Sequence, residues 1–154
     1  MKYYLNIGTN LGDRHSNLMR AIALLSAGTG GCQVSSIVQS RAWGFDSPHD
    51  FLNVGVALTT SKTARQVLDW IHGIEAQLSS PCHRDAAGHY IDRLVDIDIV
   101  YIEQDTAAAA HGRHSRWQQV TIDEPGLTVP HPHLMERPFF LTPLRQLRPA
   151  TFES

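Results

Sequence analysis

Apolar and polar residues alternate along three segments of the chain, and this two-residue period is typical of β-strands. The segments are residues 2–8, 51–59 and 94–102, and residues 33–40 are a weaker fourth candidate. Apolar residues instead recur at helical spacing from Leu18 to Leu25 and again over residues 63–78. Asp13 is a candidate N-cap for the first of these helices. The predicted order of elements is therefore β-α-β-β-α-β.

This order predicts one α+β domain over residues 1–154, with a ferredoxin-like sheet and both helices on one face. Because side chains alternate along a strand, the pattern also assigns residues to the two faces of the sheet. The residues expected beneath the helices are Leu5, Ile7, Leu52, Val54, Val56, Leu58, Val95, Ile97 and Ile99. The opposite face, expected to be uncovered, would carry Asn6, Phe51, Asn53, Asp96 and Asp98. We expect the substrate site on that opposite face.

Several segments do not follow either period. Residues 41–50 and 79–92 are long enough to close a site as loops, and residues 103–128 look like a solvated insertion. The glycine-rich GTNLGD after the first strand lacks the GK[ST] of a phosphate-binding loop. We interpret it as a turn between strand and helix.

The composition is that of a soluble globular protein, with 42% hydrophobic and 18% charged residues in a chain of 154. A formal net charge of −2 argues against general affinity for nucleic acid or for an anionic membrane. No apolar run is long enough for a membrane span, and we expect no signal peptide, because the first residues contain no long apolar segment. Cys32 and Cys82 form no CxxC pattern, so we expect free thiols in the cytoplasm, although a single disulfide stays open.

Two carboxylates interrupt the apolar strand DRLVDIDIV, residues 92–100. Asp96 and Asp98 are two residues apart, so they point the same way and stand roughly 6–7 Å apart. Like charges repel, and burying them is costly unless a cation neutralises them. Acidic residues on an exposed strand face are the simpler explanation of a bare DxD. The apolar context favours Mg²⁺, which one or two carboxylates hold together with substrate phosphates. Two such ions, about 3.5–4 Å apart, would clamp a transferring phosphoryl group.

Other side chains suit a binding site, although each has a simpler explanation. His72 and Glu75 share one face of the second helix, where a solvated flank is the simpler interpretation. The candidate anion contacts are Arg93, His131 and Arg137, each of a type more often found at the surface. Trp43 and Phe51 suit either the core or stacking on a flat ring, and Asn53 can bond the edge of a heterocycle.

Several motifs, taken in order, resemble one family. They are IGTNLGD (7–13), WGFDSPHDFLN (43–53), IE (74–75), YIDRLVDIDIV (90–100), VPHPHLMERPFFLTPL (129–144) and LRP (147–149). No single motif is decisive, but the ordered set covers nearly the whole chain and is highly specific. It resembles the 6-hydroxymethyl-7,8-dihydropterin pyrophosphokinases of folate biosynthesis. The ferredoxin-like fold of that family agrees with the predicted topology.

The resemblance implies a reaction between two small molecules, ATP and a hydroxymethyl-dihydropterin, in a protein expected to be monomeric. The pterin hydroxyl attacks the β-phosphorus, pyrophosphate is transferred and AMP leaves. Two Mg²⁺ ions would be ligated by Asp96 and Asp98. The pterin would be bound by Ser40, Trp43, Phe51, Asn53, Tyr90 and Phe139. The nucleotide would be contacted by His72, Glu75, Arg93, His131 and Arg137, and Arg93 would also assist catalysis.

The loop after the second helix departs from the family pattern. Members usually carry GR followed by further basic residues, whereas this chain reads SSPCHRD over residues 79–85. The arginine expected near Ser80 is missing, so Arg84, Arg113 or Arg116 would have to stabilise the transferring charge. This departure motivates a second hypothesis, a weakened member that binds ATP or pterin with little turnover. A third is an unrelated two-metal phosphohydrolase that uses the DxD.

Overall fold

The computed structural model describes residues 1–10, 12–40, 50–79, 94–105 and 117–152. Three helices are present in these ranges: α1 (Arg14–Ala27), α2 (Ala64–Ser79) and α3 (Pro138–Leu147). The strands are β1 (Lys2–Thr9), β2 (Gln33–Val34), β3 (Val38–Ser40), β4 (Phe51–Thr59), β5 (Asp96–Asp105), β6 (Trp117–Gln119), β7 (Ile122–Glu124) and β8 (Leu127–Val129). One turn of 3-10 helix, Leu134–Glu136, precedes α3. None of the described helices is both long and apolar enough to cross a membrane.

The strands form an antiparallel sheet in the order β2-β4-β1-β5-β6, and β3 also pairs with β4. β7 and β8 form a separate hairpin. The described residues thus form a mixed α/β fold with three helices. The predicted succession of strands and helices is present through β5, and the weak strand candidate at residues 33–40 is two short strands. Asp13 caps α1 as predicted, because its carboxylate accepts a hydrogen bond from the Ser16 N–H at 3.0 Å.

α1 and α2 lie on the same face of the sheet and share its main hydrophobic core. Leu18 and Leu25 of α1 and Val67 and Ile71 of α2 are buried there. Eight of the nine strand residues assigned to this face are buried in that core, and Leu52 packs against it half-buried. The assignment of faces from the alternating pattern is therefore confirmed.

α3 packs on the opposite face, which the sequence pattern had left uncovered. That expectation is wrong for one half of the face, because Phe140 and Leu144 of α3 are buried there against a second apolar cluster of the sheet. The strand residues of this cluster are Tyr4, Ala57, Val100 and Tyr101. Gly55 of β4 makes the close approach possible, since a Cβ atom on it would stand 2.7 Å from the Cβ of Pro143.

A β-bulge in β5 changes which residues face α3. Tyr4 pairs with Tyr101 while Leu5 pairs with Ile99, so Val100 is an extra residue in β5. Because the period of a strand is two, the extra residue reverses the alternation beyond it. Tyr101 therefore joins the second cluster, although strict alternation would place it with Ile97 and Ile99.

Residues 103–128 are not a solvated insertion in the part that the structure describes. β5 continues to Asp105, and Glu103 is only 1% exposed. Its carboxylate accepts hydrogen bonds from the Tyr4 hydroxyl at 2.7 Å and from the Thr151 N–H and hydroxyl at 2.6 and 2.7 Å. Leu127 and Val129 of the hairpin are buried in the main core. This segment was misassigned because its strands are short and Glu103, a charged residue, is buried.

The close contact between Gly55 and Pro143 gives a test of how α3 is held. Gly55→Ala should lower the free energy of unfolding by about 1–3 kcal/mol, because the new methyl group overlaps the Pro143 ring. Gly73→Ala is the control, since no atom lies within 4 Å of a Cβ built there. In an exposed position of α2 it should raise stability by about 0.5–1 kcal/mol. Urea denaturation measures both, and a Gly55→Ala protein of wild-type stability would contradict tight packing of α3.

Candidate functional site

Two neighbouring cavities open beside Asp96 and Asp98 of β5. The first cavity has a volume of about 200 Å³ and is lined by Asn6, Gly8, Ser40, Phe51, Asn53, Asp96, Asp98, Arg137, Phe139 and Phe140. The second cavity has a volume of about 510 Å³ and is lined by Leu68, His72, Glu75, Asp96, Ile97, Asp98, Ile99, Gly126, Leu127, Thr128, His131 and Pro132. Asp96 and Asp98 line both cavities, so these two carboxylates stand at the boundary between them.

The floor of the first cavity is the sheet itself, and Gly8 is at its centre. Gly8 of β1 pairs with Asn53 of β4 on one side and with Asp96 of β5 on the other. A Cβ atom on Gly8 would stand 2.9 Å from Asn53 Oδ1. The glycine therefore keeps the floor open and leaves Asn53 in its position.

Asn53 supplies a fixed polar group beside the aromatic residues of the first cavity. It is 3% exposed, and its Nδ2 donates a hydrogen bond to Ser40 Oγ at 2.9 Å. Phe51 and Phe139, both half-buried, line the same cavity. Aromatic faces combined with one oriented amide suit a flat heterocycle that carries hydrogen-bonding groups on its edge.

The two aspartates offer oxygen ligands to a divalent cation. Asp98 is half-buried and Asp96 is exposed, and they alternate with the buried Ile97. Within the described ranges, no group of three or more His, Cys, Asp or Glu side chains could hold a metal by itself. A donor set of two carboxylates fits Mg²⁺, which usually keeps several waters and takes further oxygens from substrate phosphates.

Glu75 connects α2 to the strand that carries the aspartates. Its Oε2 accepts a hydrogen bond from the Ile97 N–H at 2.9 Å, and Ile97 stands between Asp96 and Asp98. Glu75 is 5% exposed, so the interpretation as a solvated helix flank is wrong for this residue. His72, one turn earlier on α2, is exposed and lines the second cavity.

His131 is held in a neutral form at the second cavity. The backbone N–H of His131 donates a hydrogen bond to the carbonyl of Val100, the bulged residue of β5. Its ring Nδ1 accepts a hydrogen bond from the backbone N–H of His133 at 3.1 Å. Burial lowers the pKa of His131 to about 4, with smaller contributions from the charges of Arg137 and His133. Because Nδ1 is an acceptor, the proton of the neutral ring is on Nε2.

Arg137 stands at the first cavity, on the aromatic residues that begin α3. Its guanidinium carbon lies 5.3 Å from the centre of the Phe140 ring and 5.8 Å from that of Phe139. These distances are typical of cation–π contacts. Arg137 thus brings a positive charge to the cavity that also contains the two aspartates.

The family model for 7,8-dihydro-6-hydroxymethylpterin-pyrophosphokinase (HPPK) matches residues 4–149. The chain belongs to the HPPK family. Curated relatives agree with this assignment over most of the chain. A 2-amino-4-hydroxy-6-hydroxymethyldihydropteridine pyrophosphokinase from Porphyromonas gingivalis is 35% identical over 147 residues, which are 95% of this chain and 90% of the relative.

Two further relatives carry the same name. The protein from Aquifex aeolicus is 30% identical and covers 95% of this chain and 79% of its own length. The protein from Bacillus subtilis is also 30% identical and covers 94% of this chain and 76% of its own length. The family resemblance seen in the sequence motifs is therefore confirmed.

The structure brings together the predicted site residues that it describes. Ser40, Phe51, Asn53, Phe139 and Arg137 line the first cavity, and His72, Glu75 and His131 line the second. Arg137, predicted to contact the ATP phosphates, thus stands with the aromatic residues. Six candidate residues lie outside the described part of the chain: Trp43, Arg84, Tyr90, Arg93, Arg113 and Arg116. Their roles stay predictions.

Some residues that line the cavities were not predicted from the sequence. Asn6 was assigned to the correct face without a role, and Gly8 was not assigned, although the alternation of both residues with Ile7 was visible. The β7–β8 hairpin, which brings Gly126 and Thr128 to the second cavity, was placed in the insertion. The Pro125-Gly126 pair between short apolar segments was the turn signal that could have identified it.

The neutral state of His131 can be tested by titration. We expect its imidazole to titrate near pH 4, and Arg137→Ala to raise that pKa, because the removed guanidinium disfavours a second positive charge. NMR of the ring protons measures both values. Arg65→Ala is the control, since Arg65 pairs with Glu124 at 2.9 Å and contributes nothing to the His131 shift.

The same pKa has a consequence for stability. In the unfolded chain the imidazole has a pKa of about 6.5, so it binds a proton more readily there than in the folded protein. Acidification from about pH 6.5 towards pH 4 should therefore destabilise the fold, and this contribution is fully present above pH 6.5. A His131 resonance that titrates near pH 6.5 in the folded protein would contradict the half-buried, neutral ring.

Proposed function

We infer that the protein transfers pyrophosphate from ATP to the hydroxymethyl group of 6-hydroxymethyl-7,8-dihydropterin and releases AMP, a step of folate biosynthesis. The observation that carries this inference is the pair of cavities that share Asp96 and Asp98 in a member of the HPPK family. Two substrates that must react need adjacent sites with a common boundary. The phosphates that are transferred, whose charge changes during the reaction, would stand at that boundary.

We propose that the pterin occupies the first cavity. Its two half-buried aromatic rings, Phe51 and Phe139, suit the faces of a bicyclic heterocycle. Asn53 can bond the edge of the ring with both its donor and its acceptor, and Ser40 orients it. Trp43 and Tyr90 are proposed to complete the pterin site on the basis of the family resemblance alone.

ATP is proposed to occupy the second, larger cavity. His131 supports this proposal, because its Nε2–H can donate to a phosphate without adding a buried charge. His72 and Glu75 line the same cavity from α2. Arg84 and Arg93 are proposed to contact the phosphates from the preceding loop, again by resemblance. Arg137, from its position at the first cavity, would reach the phosphates nearest the pterin.

Asp96 and Asp98 are the residues we propose to hold two Mg²⁺ ions, which would neutralise the developing charge on the phosphates. The chain itself supplies positioning. The pterin hydroxyl releases its proton to solvent, and its oxygen forms a bond to the β-phosphorus. The bond from the β-phosphorus to the oxygen that bridges it to the α-phosphorus breaks, and AMP leaves with that oxygen. Little covalent help is needed for phosphoryl transfer, so orientation and charge neutralisation dominate.

The finer classification as a ferredoxin-like fold is also a proposal. It is supported by the central strand order β2-β4-β1-β5, with α1 and α2 on one face. α3 and the β7–β8 hairpin are then additions that shape the site. A cytoplasmic location stays the expectation from the two cysteines, and a monomer stays an expectation as well.

The transfer is tested by AMP release in the presence of Mg²⁺, ATP and 6-hydroxymethyl-7,8-dihydropterin. We expect AMP only when all three are present. Binding of pterin and ATP without AMP above background would identify a weakened family member. ATP turnover without pterin would identify a phosphohydrolase. Each of these two results would contradict the proposed activity.

Two substitutions should separate the roles of the cavities. Asp98→Asn should lower AMP release by at least about 100-fold, because it removes a negative metal ligand. Asn53→Ala should raise the dissociation constant of the pterin by about tenfold or more and leave that of the nucleotide little changed. Isothermal titration and the AMP assay measure these effects.

Matched controls exist for both changes. Asp69→Asn alters an exposed aspartate of α2 that lines neither cavity. Asn17→Ala alters a buried asparagine of α1 outside both cavities. Wild-type turnover in Asp98→Asn, or unchanged pterin affinity in Asn53→Ala, would remove the respective assignment.

A further inference from the structure

The carbonyl of Phe139 lacks its regular partner within α3. In an α-helix, the carbonyl of residue i accepts a hydrogen bond from the N–H of residue i+4. For Phe139, the second residue of α3, that residue is Pro143, which has no N–H. The helix nevertheless continues to Leu147. A donor from elsewhere is therefore needed at this carbonyl.

Asn6 of β1 supplies that donor from the sheet. Its Nδ2 donates to the Phe139 carbonyl oxygen at 2.7 Å, across a separation of 133 residues in the chain. Asn6 is 2% exposed, so water cannot readily replace the bond. Gly55, which pairs with Asn6 on β4, leaves room for the Pro143 ring against the sheet. The proline that removes the helical donor thus packs beside the asparagine that replaces it.

This bond ends at the first cavity. Asn6 and Phe139 both line it, and Asn6 pairs with Asp98 across β1 and β5. We propose that Asn6 is a positioning residue that holds Phe139 at the edge of the pterin site by bonding its carbonyl. The inference rests on the proposed function, in which the first cavity binds the pterin. In this role, Asn6 contributes to binding of the pterin, the substrate that accepts the pyrophosphate, without contacting the reacting atoms.

The anchoring of α3 separates this role from a purely structural one. Phe140 and Leu144 are buried in the second cluster, and they keep the helix on the sheet without Asn6. Loss of the Asn6 bond would release mainly the first turn of α3, where Phe139 is. Its effect should therefore fall on pterin binding rather than on nucleotide binding.

The first measurement compares the two substrates. Asn6→Ala should raise the KM and the dissociation constant of the dihydropterin by about fivefold, the change that one net hydrogen bond typically produces. The KM of ATP should stay within twofold. Asn17→Ala is the matched control, because it also removes a buried amide, one that donates to Thr9 Oγ1 at 3.2 Å outside both cavities. It should leave both KM values unchanged.

A double-mutant cycle with Pro143→Ala tests the mechanism itself. Alanine restores an N–H at position 143, so the Phe139 carbonyl regains a helical donor. In the Pro143→Ala background, Asn6→Ala should therefore change the pterin dissociation constant by less than twofold. If Asn6→Ala lowered the affinity for the pterin about fivefold in both backgrounds, the inference would be overturned. Equal losses of affinity for the pterin and for ATP would also overturn it. If Asn6→Ala does not fold, Asn6→Ser, whose hydroxyl is too short to reach Phe139, takes its place in the cycle.

The wild-type protein separates the two proposals. Binding of dihydropterin is measured with a non-hydrolysable ATP analogue, and AMP release is measured with ATP. If wild type binds the pterin and releases AMP while Asn6→Ala matches it in both, only the role of Asn6 is refuted. If wild type neither binds the pterin nor releases AMP, the proposed function fails and the role of Asn6 fails with it.

Discussion

The register between β1 and β5 is the constraint on which the rest of the structure depends. Asn6 pairs with Asp98 and Gly8 with Asp96, so the carboxylates stand on the face away from α1 and α2. A shift of one residue would move both carboxylates into the main core and remove Ile97 and Ile99 from it. The bulge at Val100 then reverses the alternation for the rest of β5. One strand thus places its first half at the cavities and its second half under α3.

The division of this face between packing and binding occurs within a few residues. Towards Tyr4 and Tyr101 the sheet is apolar and α3 covers it. Towards Gly8 and Asn53 the sheet is open and polar. The boundary is at Asn6 and Gly55, where the missing side chain of Gly55 lets α3 approach the sheet. Arg137, which precedes α3, and Phe139 therefore line the cavity, whereas Leu144 is buried in the second cluster. Phe140 does both.

Much of this architecture follows from local patterns. The alternation from Leu52 to Leu58 was sufficient to assign the faces of β4, and the spacing of Val67 and Ile71 was sufficient to place α2. What could not be predicted depends on tertiary contacts. A bulge such as that at Val100 cannot be recognised from the sequence, because the residues on both sides of it are also apolar. Pro143 argues against a helix unless a donor such as Asn6 is known.

Charged residues were the hardest to place, because their burial requires partners distant in sequence. The sequence pattern places Glu75 on a solvated flank of α2. Its burial is possible because its carboxylate accepts a hydrogen bond from the Ile97 N–H, 22 residues away. Glu103 looked like the start of a polar loop, yet Tyr4 and Thr151 surround its carboxylate. Burial and the bond to Glu103 raise the pKa of Tyr4, which keeps that hydroxyl a donor. No periodicity in the sequence could report these partners.

The hydrogen bonds between Glu103 and Thr151 affect the local unfolding of the last described residues of the chain. Segments near chain ends ordinarily fray at little cost, because few contacts depend on them. Here, detachment of Thr151 would strip two donors from a buried carboxylate and free Phe152 from its edge-on contact with the Tyr101 ring, 5.4 Å away. A buried carboxylate left with the Tyr4 hydroxyl as its remaining donor of the three is costly, so this segment and the end of β5 should open as one cooperative unit. Local unfolding at residue 151 is thereby tied to the stability of the sheet.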